Sequence, residues 1–406
     1  MKRLLIISGL LAAIGFLAGS LLAMNHSQLT DFIQFISWAV FILLFLPSFF
    51  IVKAHAISTH EFGKKLFRFI RYAILLGIVF FLYTVFWPRQ YGSLELLQRQ
   101  EVQYWELSTG SRIAYTLIPG KGSKRPDPII FLAGGPGGSI GESDIRRLSF
   151  LSEDGYDVYL YDMVGCGFSS RLKNIQEYTA DRHKRDLEEM VKKIGSPKVI
   201  LLGQSWGAIL AVLFAADNPG RLEKMIFTGP GPIQPVHREL GNLKAPDSLH
   251  LRKPYYSNRQ GNDQANNIRT RAMAFCALQF GIKLASDKEA DDFAAYWNTE
   301  VDRSVVCDTA NSKRSQPRIG AGFYVQIMTV ASFNRTRDPR PNLKNSPIPV
   351  LVMKGQCDNQ LWGFTHEYLD IFPNHQLAVI PAAGHAISLE QPELYKATIR
   401  GFLNRY

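Results

Sequence analysis

Val199-Ile200-Leu201-Leu202-Gly203-Gln204-Ser205-Trp206-Gly207-Ala208-Ile209-Leu210-Ala211-Val212-Leu213 is the stretch that decides the fold. Val199–Leu202 is a short unbroken apolar run and reads as a buried strand. Ala208–Leu213 is rich in alanine and leucine and reads as a helix. Between them lies Gly203-Gln204-Ser205-Trp206-Gly207, a G-x-S-x-G. The whole is a strand, a tight glycine turn and a helix.

Working outward, the chain after about Glu101 repeats this alternation. Short β-type runs occur at Pro128–Ala133, Asp157–Asp162, Lys198–Gly203, Lys224–Thr228, Val350–Lys354 and Leu377–Pro381. Most are followed by a helical stretch: Thr179–Ile194, Trp206–Ala216, Trp362–Phe372 and Glu390–Leu403. Strands alternating with helices predict an α/β fold, a mostly parallel sheet covered on both faces. Gln103–Leu107 and Arg112–Leu117 flank Ser108-Thr109-Gly110-Ser111 and predict an antiparallel hairpin at its start. The rhythm stops at 232 and resumes at 348; Asp263–Leu284 and Asp287–Thr299 read as helices in that interval. An insertion at the carboxyl end of a strand lies where open α/β sheets bind ligands, so 232–347 is expected to form a cap. The core is then 103–231 with 348–406, preceded by a linker over 89–102.

A G-x-S-x-G in this context is a nucleophile elbow, which pushes the serine hydroxyl out at the strand end. Ser205 is therefore the candidate nucleophile. It needs a base, and the base needs an orienting group. Of nine histidines, only His385 follows a late strand and a glycine turn, in Ile380-Pro381-Ala382-Ala383-Gly384-His385. Asp358 follows the strand Val350–Lys354 and the turn at Gly355. The order Ser205, Asp358, His385 is the order the elbow predicts. Ala133-Gly134-Gly135-Pro136-Gly137-Gly138-Ser139 also follows a strand, and its glycines let backbone approach a substrate. The N–H groups of Gly135 and Trp206 are the expected oxyanion donors. No Walker lysine and no G-x-G-x-x-G accompany this turn, which speaks against a phosphate loop. No C-x-x-C or zinc spacing occurs, so neither a metal site nor a cofactor is expected.

Taken together, the residues from about Gln103 to Tyr406 resemble the α/β-hydrolase superfamily, and within it the proline iminopeptidase-like serine hydrolases. The resemblance rests on Gly134-Gly135-Pro136-Gly137, on Asp162 with Gly165, Gly167 and Ser169, on Ser205-Trp206-Gly207, on the Asp358 loop and on Gly384-His385. It implies a helical cap and cleavage of an N-terminal residue from a small peptide, without a metal. The chain departs from the family's pattern at Ala133, where histidine is usual, at Gln204, where glycine is usual, and at Met163 and Val164, where Gln-Arg is usual. The family's peptidases hold the substrate amine with cap carboxylates. Glu239, Glu289, Asp291, Asp292 and Glu300 are on offer here, and Glu300, near Trp297, is the candidate anchor. An esterase or lipase would use the same triad and oxyanion hole. A non-catalytic interaction module on the same fold is the reading from another class.

The cysteines are Cys166, Cys276, Cys307 and Cys357. Cys276 and Cys307 both fall in the insertion and are expected to pair, stabilising the cap by roughly 3 kcal/mol. Cys166 and Cys357 are expected to be small buried residues.

The 406-residue chain carries a formal charge of +11, but that charge is not spread evenly. Leu4–Met24, Phe32–Val52 and Ile70–Trp87 are apolar runs near the ~20 residues a membrane helix needs. The excess concentrates around them, which makes it a topology signal and not a nucleic-acid one. Lys53, Lys64, Lys65, Arg68 and Arg71 mark the second loop as cytoplasmic, whereas Asn25–Asp31 has no basic residue. The sequence thus predicts a three-helix anchor over 1–88 in a plasma or inner membrane, with the larger part of the chain outside the cytoplasm. Leu21 and Ala23 make a poor cleavage site, so the first run is expected to be retained. A reporter that works only after export, fused behind Tyr406, should be active. Activity of a reporter that works only in the cytoplasm would refute this topology.

Overall fold

Eight short strands form one sheet, in the spatial order 103–106, 112–118, 158–161, 129–132, 199–204, 222–228, 350–355 and 375–380. The computed structural model describes residues 61–92, 99, 101–314 and 320–405, and the chain divides into two units at Trp87–Pro88. The first unit contains helix α1, Glu61–Phe86. Phe69, Leu76, Val79, Phe80 and Phe86 on it are exposed, and Lys64, Lys65, Arg68 and Arg71 lie in its first half. Among the described residues no helix is long and apolar enough to cross a membrane. The expected span at 70–87 falls on α1 and is therefore not found as a membrane-crossing helix, and those at 4–24 and 32–52 lie outside the described residues.

In the second unit the strands are β1 Gln103–Glu106, β2 Arg112–Ile118, β3 Ile129–Leu132, β4 Val158–Tyr161, β5 Val199–Gln204, β6 Leu222–Thr228, β7 Val350–Gly355 and β8 His375–Ile380. β1–β2 and β2–β4 pair antiparallel, and every later pairing is parallel. β3 and β7 are buried at every residue and β5 at all but its last. Parallel strands covered on both faces read as continuous apolar runs for this reason. The connecting helices are α2 Glu142–Glu153, α3 Ala180–Ile194 and α4 Trp206–Asp217. α4 is buried at every residue from Trp206 to Ala216, as a helix apolar all round must be.

Between β6 and β7 lie α5 Asn258–Ala265, α6 Ile268–Phe280, α7 Asp287–Val301, α8 Phe323–Ser332 and the single turn Arg340–Leu343. The last two long helices are α9 Trp362–Ile371 and α10 Pro392–Leu403. Three details differ from the sequence reading. The expected helix Asp263–Leu284 is two helices, because the Asn267 side chain accepts from the N–H groups of Arg269 and Thr270 and restarts the chain as a cap. The expected helix Glu390–Leu403 starts at Pro392, which occupies the first turn. α8 is not visible in the pattern: Phe-Tyr-Val-Gln-Ile-Met-Thr-Val-Ala-Ser is rich in β-branched residues and becomes helical through burial of Phe323, Tyr324, Val325 and Met328.

The cysteine expectation is also corrected. Cys307 bonds to Cys357, while Cys166 and Cys276 are free. The segment after α7 folds back onto the loops that leave β7 and β8. Ala386 N–H donates to Val305 O at 2.8 Å, and Asn359 Nδ2 donates to Ser304 O at 3.2 Å. Cys276 lies on α6 and is free, so membership of the same insertion was the wrong guide. The bond closes a loop with a sequence separation of 50, for which chain entropy gives roughly 4 kcal/mol of stabilisation. Peptide mapping of protein made in an oxidising compartment should find the Cys307–Cys357 cross-link and alkylated Cys166 and Cys276. A Cys276–Cys307 peptide would contradict the fold described here.

Candidate active site

β5 ends at Gln204 and α4 begins at Trp206, leaving one residue to make the turn. That residue, Ser205, has φ 54° and ψ −112°, a conformation costly for any residue with a side chain. The two glycines are what make the turn possible. A Cβ on Gly203 would lie 2.6 Å from the Gly207 carbonyl, and one on Gly207 would lie 2.0 Å from Leu132 O in β3. Helix and strands therefore meet in contact too close for any side chain. Ser205 is only half-buried, so its hydroxyl is reachable. Its N–H donates to Thr228 O at 3.0 Å, fastening the elbow to the end of β6.

Beyond that strand end stands His385. A Cβ on Gly229 would lie 2.7 Å from the His385 ring, so Thr228–Gly229 touches both Ser205 and His385. His385 Nδ1 lies 2.9 Å from Asp358 Oδ1. Asp358 Oδ1 also accepts from Gln360 N–H at 3.0 Å, and Asp358 Oδ2 from Lys354 Nζ at 3.3 Å. Burial pushes the Asp358 carboxyl up. Lys354, His385 and the Gln360 N–H outweigh it and hold the group at about 2, so it is ionised throughout the ordinary pH range. With Nδ1 turned to the carboxylate, Nε2 of His385 is the atom left to accept a proton.

The turn 133–139 packs against the elbow. A Cβ on Gly134 would lie 3.4 Å from Ser205 Cβ. Gly135 has φ 135° and is joined to Pro136 by a cis bond. The Trp206 N–H is the first of α4 and has no partner inside the helix. The indole of Trp206 stacks on Phe333 at 5.3 Å and meets the edge of His183 at 6.1 Å. Burial holds His183 down to about 4, hence neutral.

Several supporting residues carried no signal in the sequence. Arg99, from the expected linker, is buried and donates to Ile140 O and Asp162 Oδ1, both at 3.0 Å. Ile140 N–H also donates to Asp162 at 2.7 Å, so this pair fixes the far end of the 133–139 turn. Glu390 accepts from Gly384 N–H at 2.6 Å, Cys307 N–H at 2.8 Å, Asp308 N–H at 3.1 Å and Asn311 Nδ2 at 3.0 Å. It joins the His385 loop to the insertion. Motifs of this kind are invisible without the fold, because each partner is distant in sequence.

The candidate amine anchors fare differently. Glu289 is buried against Arg269, whose Nη2 lies 2.6 Å from it. Asp291 pairs with Arg171 at 2.7 Å, and burial, only partly opposed by Arg171, pushes it up to about 6. Asp292 pairs with Lys288 at 2.7 Å. Glu239 is exposed near His237. Glu300 lies half-buried at the end of α7.

Residues 127–392 match the family described as the alpha/beta hydrolase fold. A proline iminopeptidase of Heyndrickxia coagulans is 26% identical over 306 residues, covering 73% of this chain and 96% of that protein. One from Saccharolobus solfataricus is 41% identical over 120 residues, 29% of this chain and 37% of that protein. Among solved structures, a thermophilic esterase from Thermogutta terrifontis superimposes with a TM-score of 0.53 at 19% identity, over 75% of this chain and 98% of that one. A hydrolase from Pseudomonas aeruginosa gives a TM-score of 0.51 at 18% identity, over 75% and 99%. The chain belongs to the alpha/beta hydrolase fold family and is a hydrolase.

Proposed function

We propose that the chain is a serine hydrolase that removes N-terminal residues from small peptides, in the manner of a proline iminopeptidase. The observation that carries the chemistry is Ser205 at its elbow beside a strand end that also touches the bonded His385–Asp358 pair. The peptide substrate is supported by the Heyndrickxia relative, whose likeness runs nearly its whole length. In this reading Ser205 Oγ attacks the scissile carbonyl while His385 Nε2 takes its proton. The N–H groups of Gly135 and Trp206 stabilise the oxyanion. Collapse of the tetrahedral adduct expels the amine, which His385 protonates. Water, activated by His385, then hydrolyses the acyl-serine. Asp358 holds the imidazole and stabilises its charged form.

One observation favours an ester substrate instead. Glu289, Asp291 and Asp292 are engaged by Arg269, Arg171 and Lys288, which leaves Glu300 as the insertion's main candidate for an amine. Attachment to a bilayer through the N-terminal segment is likewise a proposal, supported by the apolar runs of the sequence and the exposed apolar residues of α1. The Cys307–Cys357 bond supports an oxidising compartment for the hydrolase unit.

Turnover of proline arylamide and of p-nitrophenyl acetate separates the two substrates. Glu300→Gln should raise KM for the arylamide by about tenfold and leave the ester unchanged if Glu300 binds the amine. Ser205→Ala or His385→Ala alone should cost about as much as the triple change, on the order of 10⁴–10⁶ in kcat, because the three act as a unit. Asp358→Asn should cost less. Near-wild-type turnover by folded Ser205→Ala protein would end the serine mechanism.

A further inference from the structure

Lys354 is the last residue but one of β7 and is only 2% exposed. A lysine is rarely buried this deeply without a dedicated partner. Its Nζ lies 3.3 Å from Asp358 Oδ2 and donates to Gln360 O at 2.9 Å. Gln360 N–H in turn donates to Asp358 Oδ1, the same oxygen that holds His385. The ammonium thus grips both ends of the short turn 358–360 and fills the face of the carboxylate that His385 does not use.

We propose that Lys354 is a positioning residue for the base: it orients Asp358 and offsets its charge, so that Asp358 Oδ1 meets His385 Nδ1 and Nε2 is left to receive the Ser205 proton. The proposal rests on the serine hydrolase reading above. Its physical basis is the charge balance around His385. Asp358 contacts the ring directly, and Glu390 lies one residue away through Gly384 N–H. Asp302, Arg303 and Asp308 lie on the insertion segment that packs on this loop, and Arg252 bonds to Gln356 on the outer side. The residue after β6, uncharged Gly229, faces the ring. Among the described residues, Lys354 is the only basic side chain other than His385 bonded to Asp358. Two nearby carboxylates favour the imidazolium, which cannot act as a base, and a buried cation behind one of them opposes that effect.

The test is the pH dependence of Ser205 labelling by a fluorophosphonate probe, measured on the full chain so that no substrate need be known. The rate should rise with pH along a limb set by loss of the His385 proton. Lys354→Met and Lys354→Gln should move the midpoint of that limb upward by about one pH unit or more. Lys354→Arg keeps the charge and should leave the midpoint in place even if the maximal rate falls. A lower plateau with an unmoved midpoint in the Met and Gln variants would overturn the proposal, since a merely structural lysine predicts that result. Glutamine keeps a donor for Gln360 O, so it carries the test should methionine unfold the site. Wild-type protein that takes no label at Ser205 would instead refute the serine hydrolase reading, and this proposal with it.

Discussion

A serine held at positive φ between a buried strand and a buried helix is the constraint on which the rest of the structure depends. Such a conformation costs on the order of 1–3 kcal/mol and persists only where the surroundings over-determine it. Here they do. β5 is paired on both sides by β3 and β6, α4 is buried all round, and Ser205 N–H is fastened to Thr228 O. The same close packing requires glycine at 203 and 207 and brings Gly134 against Ser205. The strained turn at Ser205, the first N–H of α4 and the 133–139 turn are thus consequences of one packing solution.

His385 and Asp358 are held differently. They sit on loops after β7 and β8, and loops have no ladder of their own to fix them. The insertion supplies what the sheet does not. Cys307 is bonded to Cys357, next to Asp358, and Glu390 collects four donors from the His385 loop and the insertion. A carboxylate with charge-assisted bonds on both oxygens is a stiff joint, each such bond being about twice as strong as a neutral one. The insertion accordingly braces the loops that carry Asp358 and His385. Lys354 completes this arrangement from beneath, within the sheet itself.

Much of this was legible in the sequence because the signals are local. A strand that must be apolar on both faces, a turn that must have glycine and a helix that must be apolar all round are read within fifteen residues at Val199–Leu213. The positions of Asp358 and His385 follow from the same logic, each placed after a strand and a glycine turn. Local signals also misled. Asn266-Asn267 broke a continuous helical pattern because a side-chain cap competes with the helix it interrupts. α8 had the composition of a strand and is helical because the insertion buries it.

The sequence by itself determined the sheet and the elbow, and it placed Ser205, Asp358 and His385 each after a strand, since each of these depends on residue type at short spacing. Tertiary structure alone decided which cysteines pair, which insertion carboxylates are already bound to arginine or lysine, and that Arg99, Glu390 and Lys354 support the site. The physical reason is that these are interactions between single side chains brought together from distant segments. A charge or thiol gains its partner only when the packing of apolar strands and helices has removed both from water, and that packing leaves no periodic trace around the polar residue itself.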